Sequence, residues 1–569
     1  MEWFRFLREK VWRNAGFGSL RRIAPLIEDY EPWFEPTIIP LPSLHAADSS
    51  EATSLPAADR SAKYPSAGYY SVEDYHKLYT SGELTPIDVA RTLLPLIRRD
   101  TSPPGAHSVA WFDTKVDLVL KAAEASTMRY KQKCPLGLLD GVPTAVKDEY
   151  DVEGYVTCLG SRNDYTGSLV EEDTITTWCV RKLEAAGAVN LGKLSMHEFG
   201  LDIPGNNPVY GTPPNPHNPA YYTGGSSSGT GYAVSAGLIP IGLGSDGGGS
   251  IRIPASMCGV FGLKPTNGRI SFRPGQNHCV TCAVLGPMAA DIRSLAILFE
   301  TIAEPHPTSP FPALPPLRLN NLAASSGRAK LLGIPEAWFA RSTPAIQNLC
   351  RSLISRLVRE HGYRTVSINI PFLPEGQTAH AMTVLTDAAT LLPDTRGLTA
   401  ANRVMLAIGR VTPATDYLLA QKLRRALMQH LAHLWRQHGG DMLIVTPTTG
   451  CAGWPIRSAG ELRHGVSDGD RTMQGMEYAW LANHCGLPSL SVPAGFVVPE
   501  GVPGEGGEAG PDVPGRVPIG LMATGEWCAE ERLLEFGLDA EKAGADRMAR
   551  PPIWVDVVER TKAQRALYL

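Results

Sequence analysis

Apolar side chains recur along the chain with two kinds of spacing, one typical of strands and one typical of helices. Residues 136–150 (LGLLDGVPTAVKDEY) contain a turn and then a short apolar run that ends at Lys147. Asp173 can cap a helix with apolar positions across 175–186, and another apolar run follows at 188–191. The first pattern predicts a buried strand. The second predicts a helix followed by a strand, which is the repeating unit of α/β folds.

The same unit returns in the second half of the chain. Ser342, followed by Pro344, opens a helical pattern that ends at Gly362, and residues 363–370 then alternate between apolar and polar side chains. Residues 441–446 (DMLIVT) form one more apolar run of strand length. These patterns predict further helices and strands of α/β type.

The composition indicates a large core and excludes some classes of protein. The chain has 569 residues, of which 43% are hydrophobic and 19% are charged, whereas roughly 25% are charged in typical globular proteins. Its 53 basic and 57 acidic residues give a net charge of −4. This balance argues against nucleic acid binding by the chain as a whole, so we expect a small, nearly neutral substrate.

The N-terminal segment is basic and amphipathic. Residues 1–22 carry six Lys or Arg and two Glu, with large apolar side chains near helical spacing. A helix at a membrane surface and a helix docked on the protein's own body both fit this pattern, and we favour docking. No apolar run approaches the roughly 18 residues that span a membrane. The ten cysteines are scattered through the chain, which favours a cytoplasmic protein.

Glycine is most concentrated at residues 223–268, where two Gly/Ser clusters flank small and apolar residues. Ser226 follows the glycines of the first cluster, and Ser250 follows the glycine run 247–249. Glycines allow a backbone turn to point its N–H groups inward, where they can stabilise an oxyanion. A flexible linker is disfavoured by the apolar residues that follow. We therefore expect strands and turns that bring both serines to one end of a sheet.

Four literal motif matches compete with this interpretation. Residues 242–247 match GxGxxG without a clear helix after them, and residues 225–229 match the GxSxG elbow of α/β-hydrolases, which needs a downstream acid and histidine. Residues 197–201 begin an HExxH pattern but lack its second histidine, and residues 279–282 form a single CxxC. Each match lacks the partners that its chemistry requires, so no metal site is expected.

The glycine-rich segments resemble those of the amidase signature family, whose members share a serine–cis-serine–lysine triad. The likeness covers roughly residues 69–554, and it rests on LDGVPTAVKD, GGSSSG, DGGGSIRIPASMCGVFGLKPT, LPSLSVPAGF and IGLMATGEWCAEERLL. The resemblance implies an α/β fold with a single large core, in which a mixed central β-sheet is covered by α-helices on both faces. We expect residues 1–68 to form an N-terminal helix and an irregular connector. Residues 69–569 would form the catalytic domain, with a less recognisable, cap-like part at 302–440.

The resemblance also implies the catalytic residues. Ser250 would be the nucleophile, Ser226 the bridging serine after a cis peptide bond, and Lys147 the base. A serine hydroxyl needs a base to take its proton, and lysine can do so only when burial lowers its pKa enough to leave it neutral. The apolar residues before Lys147 in the predicted strand meet this demand.

Further residues would support the triad by the same resemblance. The oxyanion hole would be formed by the backbone amides of the nucleophile turn, which are those of Gly247, Gly248, Gly249 and Ser250. The backbone of Gly200 would touch the substrate. An ion pair of Asp246 with Arg252 would hold the turn. The sequence departs from the family pattern at Gly247, where Thr or Ile is common, and at Glu149-Tyr150 after the lysine. We expect these departures to change the shape of the pocket more than the chemistry.

The sequence therefore predicts a hydrolase that cleaves a carboxylic amide C–N bond through an acyl-enzyme at Ser250 and releases ammonia or an amine. No metal or organic cofactor is expected. The alternatives are an amidotransferase A-like subunit that makes ammonia from glutamine, an acyltransferase or esterase in small-molecule biosynthesis, and an inactive homologue that only binds. A homodimer is compatible with the sequence, and composition does not choose the amide.

Overall fold

The computed structural model describes residues 4–38, 68–167, 174–275, 279–304, 306–308, 314–315, 317, 329–392, 394–499, 508–509 and 515–566. The predicted connector at 40–66 and the predicted helix cap at Asp173 lie outside these residues.

One twelve-stranded sheet runs through the described residues. Its strands are β1 (Trp111–Asp113), β2 (Pro143–Lys147), β3 (Val189–Leu194), β4 (Ile241–Asp246), β5 (Phe261–Lys264), β6 (Val284–Ala289), β7 (Leu331–Ile334), β8 (Arg364–Ser367), β9 (Met442–Pro447), β10 (Ser489–Val497), β11 (Glu508–Ala509) and β12 (Val517–Thr524). The order is β1-β3-β2-β4-β6-β5-β10-β12-β9-β7-β8, and β11 pairs with β10. Strand β2 is parallel to both β3 and β4, whereas β4 and β6 are antiparallel, so the sheet is mixed, as expected.

Helices cover both faces of this sheet. They are α1 (Arg5–Asn14), α2 (Val72–Thr80), α3 (Pro86–Ile97), α4 (Val116–Lys131), α5 (Trp178–Ala185), α6 (Ser228–Ser235), α7 (Arg252–Cys258), α8 (Ile292–Ile302), α9 (Glu336–Phe339), α10 (Pro344–His361), α11 (Leu373–Leu391), α12 (Ala400–Gly409), α13 (Ala414–Gln437), α14 (Ala459–His464), α15 (Gly469–Gly475), α16 (Trp480–His484), α17 (Glu530–Ala543) and α18 (Val557–Ala566). Short 3-10 helices include Phe17–Ile27 and Glu198–Gly200.

The side chains of β9 show why helices are needed on both faces. Leu443 and Val445 pack into the largest hydrophobic cluster, whereas Met442 and Ile444 pack into the second cluster. Because successive residues of a strand point to opposite faces, the two clusters lie on opposite sides of the sheet. Helices α10 and α17 contribute to the first cluster and α13 to the second. The predicted architecture, an α/β sheet with helices on both faces, is confirmed.

The predicted helix–strand units are present with shifted boundaries. Strand β2 ends at Lys147, as predicted. Helix α10 begins at Pro344 after Thr343 rather than Ser342, and Gly362 ends it in the left-handed conformation that glycine favours. The strand predicted at 363–370 is shorter and lies at the edge of the sheet as β8.

The N-terminal helix docks on the protein's own body. Trp12 is buried, and its indole N–H donates to Thr412 Oγ1 over 3.1 Å. The guanidinium of Arg21 forms two hydrogen bonds of 2.7 Å with the carboxylate of Asp416 in α13. The basic residues of this segment therefore include at least one that pairs within the chain. Across the described residues, no helix combines the length and the apolar character needed to cross a membrane.

Residues 302–440 contribute both to the sheet and to a layer above it. Strands β7 and β8 extend the sheet next to β9. Helix α11 packs on both α12 and α13, and Leu423 and Leu427 of α13 lie in the second hydrophobic cluster. Helices α11 and α12 approach each other closely at Gly409, where a Cβ atom would lie against the backbone carbonyl of Leu385.

We predict that Gly409→Ala destabilises the protein. The added methyl group has no space against Leu385, and overpacking of this kind costs about 1–3 kcal/mol. Gly469→Ala is the matched control, because nothing lies within 4 Å of the position that its Cβ atom would take and its φ is not left-handed. Denaturant unfolding should show a lower midpoint for Gly409→Ala alone. Equal midpoints for the two variants would show that the two helices separate without cost.

Candidate active site

Lys147 lies at the C-terminal end of β2, which runs between the two strands parallel to it, β3 and β4. Its side chain is fully buried, and Nζ lies within hydrogen-bond distance of Ser226 Oγ, at 2.7 Å. Burial lowers the pKa of Lys147 below its ordinary value, although the nearby carboxylates of Glu149 and Asp246 act in the opposite direction. A buried amine with a lowered pKa, in hydrogen-bond contact with a serine, is the arrangement that a lysine base requires.

Ser226 stands between β3 and the start of α6. The peptide bond between Gly225 and Ser226 is cis, as the resemblance implies. The Ser226 carbonyl accepts a hydrogen bond of 3.1 Å from the amide of His197. Gly225 must be glycine, because a Cβ atom there would lie 2.7 Å from the Cα atom of Gly205. The backbone thus holds the Ser226 hydroxyl towards the lysine.

Ser250 closes the turn between β4 and α7. It is 4% exposed, and its carbonyl accepts a hydrogen bond of 3.2 Å from the amide of Ser227. This bond places Ser250 next to the residue that follows Ser226. The two Gly/Ser clusters therefore meet at the ends of β2 and β4, and the structure brings Lys147, Ser226 and Ser250 into one buried site.

The buried ion pair of Asp246 and Arg252 holds this turn. Arg252 donates to both carboxylate oxygens of Asp246, over 3.0 and 2.9 Å. Asn483 in α16 donates to the carboxylate and to the backbone carbonyl of Asp246. Burial alone would raise the pKa of Asp246, but the charge and the hydrogen bonds of Arg252 hold it well below its ordinary value. Asp246 is therefore a permanent carboxylate at the base of the turn.

One of the four predicted oxyanion-hole amides is already engaged. The Gly249 N–H donates to Asp246 over 2.7 Å, so it does not face a substrate, contrary to the prediction. Within the described residues, the amides of Gly247, Gly248 and Ser250 donate to no protein acceptor. Gly249 has a different function in the turn, because its φ of +113° lies in a region that other residues rarely adopt.

Gly200 lies against the bridging serine. Its φ is +66°, and a Cβ atom at this position would be 3.0 Å from Ser226 Oγ. The neighbouring side chains of Phe199 and Leu201 are buried in a hydrophobic cluster with residues of α11 and α12. The backbone at Gly200 is thus exposed to the site only because this residue has no side chain.

The structure adds residues that the sequence did not identify. Ser245 accepts a hydrogen bond of 2.6 Å from Lys147 Nζ and donates to Glu149, whose carboxylate lies 3.2 Å from the same nitrogen. His380 of α11 lies 2.7 Å from the Gly247 carbonyl oxygen through Nε2. Burial lowers the pKa of His380 to about 4, so the ring is neutral near pH 7 and Nε2–H is the donor.

Only some of these contacts could have been predicted from the sequence. Glu149 is two residues from Lys147, in the turn that the hydrogen bond from the Tyr150 amide to the Lys147 carbonyl closes, so its position in the sequence already places it near the lysine. His380 and Asn483 lie more than 130 and 230 residues from the groups they contact, and no local pattern marks them.

The competing motifs have structural explanations. Residues 242–247 form β4 and the start of its turn rather than a phosphate loop before a helix. Ser227, the central serine of the GxSxG match, is buried and donates to the Ser245 carbonyl. Glu198 accepts from Thr399 and Asn402. Among the described residues, no group of three His, Cys, Asp or Glu side chains is arranged to hold a metal ion.

A cavity of about 600 Å³ opens on the surface near this site. It is lined by charged and polar residues of α11, of α15 and of the segments around them, including Arg341, Arg457 and Arg471. The catalytic side chains do not line it. Glu477, which does line it, follows Met476 in the chain, and Met476 would contact a Cβ atom at Gly248.

Comparison with known proteins places this geometry in a family. The Amidase family model matches residues 106–534. A fatty acid amide hydrolase of Arabidopsis thaliana is 32% identical over 572 residues, which cover 96% of this chain and 89% of that protein. A fatty acid amide hydrolase of Medicago truncatula is 32% identical over 504 residues, which cover 86% and 79%.

Solved structures give the same result for the fold. The peptide amidase of Stenotrophomonas maltophilia has a TM-score of 0.67 and 25% identity, covering 86% of this chain and 99% of that one. A bacterial aryl acylamidase of the amidase signature family has a TM-score of 0.70 at 21% identity, covering 87% and 99%. Because the family model spans most of the chain and two relatives match 86% and 96% of it, the chain belongs to the amidase signature family of amide C–N hydrolases.

Proposed function

We propose that Ser250 is the nucleophile, Lys147 the general base, and Ser226 the group that carries protons between them. The observation that carries this assignment is the 2.7 Å contact from Lys147 Nζ to Ser226 Oγ in a fully buried site next to Ser250. Serine attacks a carbonyl only if its proton is removed as the bond forms. A neutral lysine can accept that proton through Ser226.

The reaction then follows from the positions of these groups. Ser250 Oγ attacks the amide carbonyl carbon and gives its proton to Ser226, which passes its own proton to Lys147. The amides of Gly247, Gly248 and Ser250 stabilise the oxyanion. As the C–N bond breaks, the proton returns through Ser226 to the leaving nitrogen. Water activated by the same residues then cleaves the ester at Ser250.

We propose a fatty acid amide as the substrate, with a long apolar acyl chain. The names of the Arabidopsis and Medicago relatives support this class, as does their match along most of this chain. Two hydrophobic clusters adjoin the proposed site. Phe199 and Leu201 belong to one beside Gly200, and Ile253 and Met476 belong to the other beside the glycine turn. Apolar residues on both sides suit an acyl chain better than a charged amino acid such as glutamine.

The amidotransferase alternative is less well supported. A glutamyl-tRNA(Gln) amidotransferase component of Thermus thermophilus is 29% identical over 83% of this chain, below the identity and the coverage of the Arabidopsis relative. Nothing in the contacts described above requires a partner protein to complete the site.

We predict that Ser250→Ala lowers kcat on any amide or ester substrate by at least roughly 10⁴-fold, because no other group can form the acyl-enzyme. A fluorophosphonate should label the parent at Ser250 and leave the variant unlabelled, as read by peptide mass spectrometry. Ser355→Ala on the exposed side of α10 is the matched control and should retain both properties. Labelling of a different residue in an active Ser250→Ala variant would refute the assignment.

We predict that kcat/KM rises with acyl length in a series of primary amides. Each methylene buried in an apolar site contributes about 0.8 kcal/mol, or about threefold to fourfold in kcat/KM, until the site is filled. Ammonia release from acetamide, octanamide and oleamide measures this trend, with glutamine as the polar comparison and Ser250→Ala as the background. A flat series, or glutamine as the best substrate, would contradict a fatty acyl site.

We predict that His380→Phe lowers kcat by roughly 10- to 100-fold with little change in KM. The variant loses the hydrogen bond that fixes the Gly247 carbonyl, and with it the direction of the amides in the turn. His430→Phe in α13 is the control, because His430 contacts the Asn369 carbonyl outside the site. An unchanged kcat in folded His380→Phe would show that the turn holds its shape without this ring.

A further inference from the structure

Glu149 lies in contact with the lysine base. It follows β2 by two residues, and its side chain is almost completely buried. One carboxylate oxygen lies 3.2 Å from Lys147 Nζ and accepts a hydrogen bond from Ser245 Oγ. The expectation that a departure at this position changes the shape of the pocket more than the chemistry does not account for these contacts.

The direction of the hydrogen bonds around Lys147 follows from the chemistry of its partners. Three polar groups surround Nζ, namely the hydroxyls of Ser226 and Ser245 and the carboxylate of Glu149. A carboxylate can only accept, and a hydroxyl has one proton to give. Because Ser245 gives its proton to Glu149, its oxygen must accept from the lysine.

A neutral amine has two N–H donors and one lone pair. Glu149 and Ser245 are both acceptors towards Nζ, so they take the two N–H bonds. The lone pair is then left for the third partner, which is the Ser226 hydroxyl. A base in this relay needs that orientation, because it must receive the proton of Ser226 rather than donate to it.

Other charged and titratable groups face Lys147, but each has its own partner or is neutral. Asp246, at the end of β4, is paired with Arg252. His197, after β3, lies close to Lys147, and burial lowers its pKa to about 3, so it is uncharged.

Two further groups belong to the segment around β2. Asp148 points to the other side and pairs with Lys193 over 3.1 Å. The Tyr150 hydroxyl donates to the Gly244 carbonyl. Glu149 is therefore the carboxylate in direct contact with the base.

We propose that Glu149 is a positioning residue for the lysine base: together with Ser245 it orients the lone pair of Lys147 towards Ser226, and its charge sets the pH at which Lys147 becomes active. The proposal rests on the proposed function of Lys147, Ser226 and Ser250.

The sign of the pH effect follows from the charge. A carboxylate beside the amine favours the protonated form, which is inactive as a base. Glu149→Gln removes this charge, so Lys147 loses its proton at lower pH, and the acid limb of the activity profile should move to lower pH by about 1–3 units. The rate on the plateau should fall, because an amine with a lower pKa is a weaker base.

The test uses the rate of fluorophosphonate labelling of Ser250 as a function of pH, since this rate depends on the base and not on the identity of the substrate. Glu149→Gln should show the shifted acid limb and a lower plateau. Glu149→Asp keeps the charge but withdraws it by one methylene, so a smaller shift in the same direction is expected. Glu153→Gln, the same substitution at an exposed position after β2, should match the parent.

Ser245→Ala provides an independent variant should Glu149→Gln fail to fold. It removes the hydroxyl that links the two groups but keeps the carboxylate, so labelling should slow without a shift of the acid limb to lower pH. Thermal unfolding of every variant separates a loss of fold from a loss of base strength.

The outcomes distinguish this inference from the function on which it rests. If the parent is labelled at Ser250 and folded Glu149→Gln keeps the acid limb of the parent, or moves it to higher pH, the proposal for Glu149 is overturned while the triad stands. A folded Glu149→Asp with no shift, or Ser245→Ala with the full shift, would also overturn it. If the parent is not labelled at Ser250, the proposed function fails as well.

Discussion

The buried ion pair between Asp246 and Arg252 is the contact on which the geometry of the site depends. Moving both charges out of water costs several kcal/mol for each ion, and only dense hydrogen bonding offsets that cost. Asp246 has such bonding, because it also accepts from the amides of Gly249 and Ile251 and from Asn483. The carboxylate thereby connects the end of β4, the nucleophile turn and α16. The turn is fixed before a substrate arrives, which is the condition under which amides stabilise an oxyanion without first reorganising.

The site contains two carboxylates that face different kinds of basic group. Asp246 is compensated by a guanidinium, which remains charged at any working pH, so its own charge is constant. Glu149 faces an amine whose charge must change during the reaction. Burial favours the neutral amine and Glu149 favours the ammonium, so the strength of Lys147 as a base reflects a balance between them. The site thus contains one ion pair of constant charge, Asp246 with Arg252, and one pair whose charge state changes during the reaction, Glu149 with Lys147.

Local sequence was sufficient for the family, for strand β2, and for the juxtaposition of Lys147, Ser226 and Ser250. The pattern before Lys147 and the two Gly/Ser clusters lie within about a hundred residues, and Pro344 and Gly362 marked the ends of α10 through the ordinary chemistry of helix termini. The Gly249 amide was wrongly assigned to the oxyanion hole because a motif does not show which acceptor an N–H faces. The contact of His380 could not be predicted, since it joins residues more than 130 positions apart and no local pattern marks either of them.

The sheet order also has a consequence for the growing chain. Lys147, Ser226 and Ser250 are all synthesised within the first half of the protein, whereas His380 and Asn483 come from the second half, and β5 pairs with β10 across more than 200 residues. Long-range pairing of this kind forms late in folding, and domains fold during synthesis from the N-terminus. A nascent chain therefore carries Lys147, Ser226 and Ser250, together with Asp246 and Arg252, for some time before His380 and Asn483 have left the ribosome. The three side chains are therefore present in the chain before the complete site can form around them.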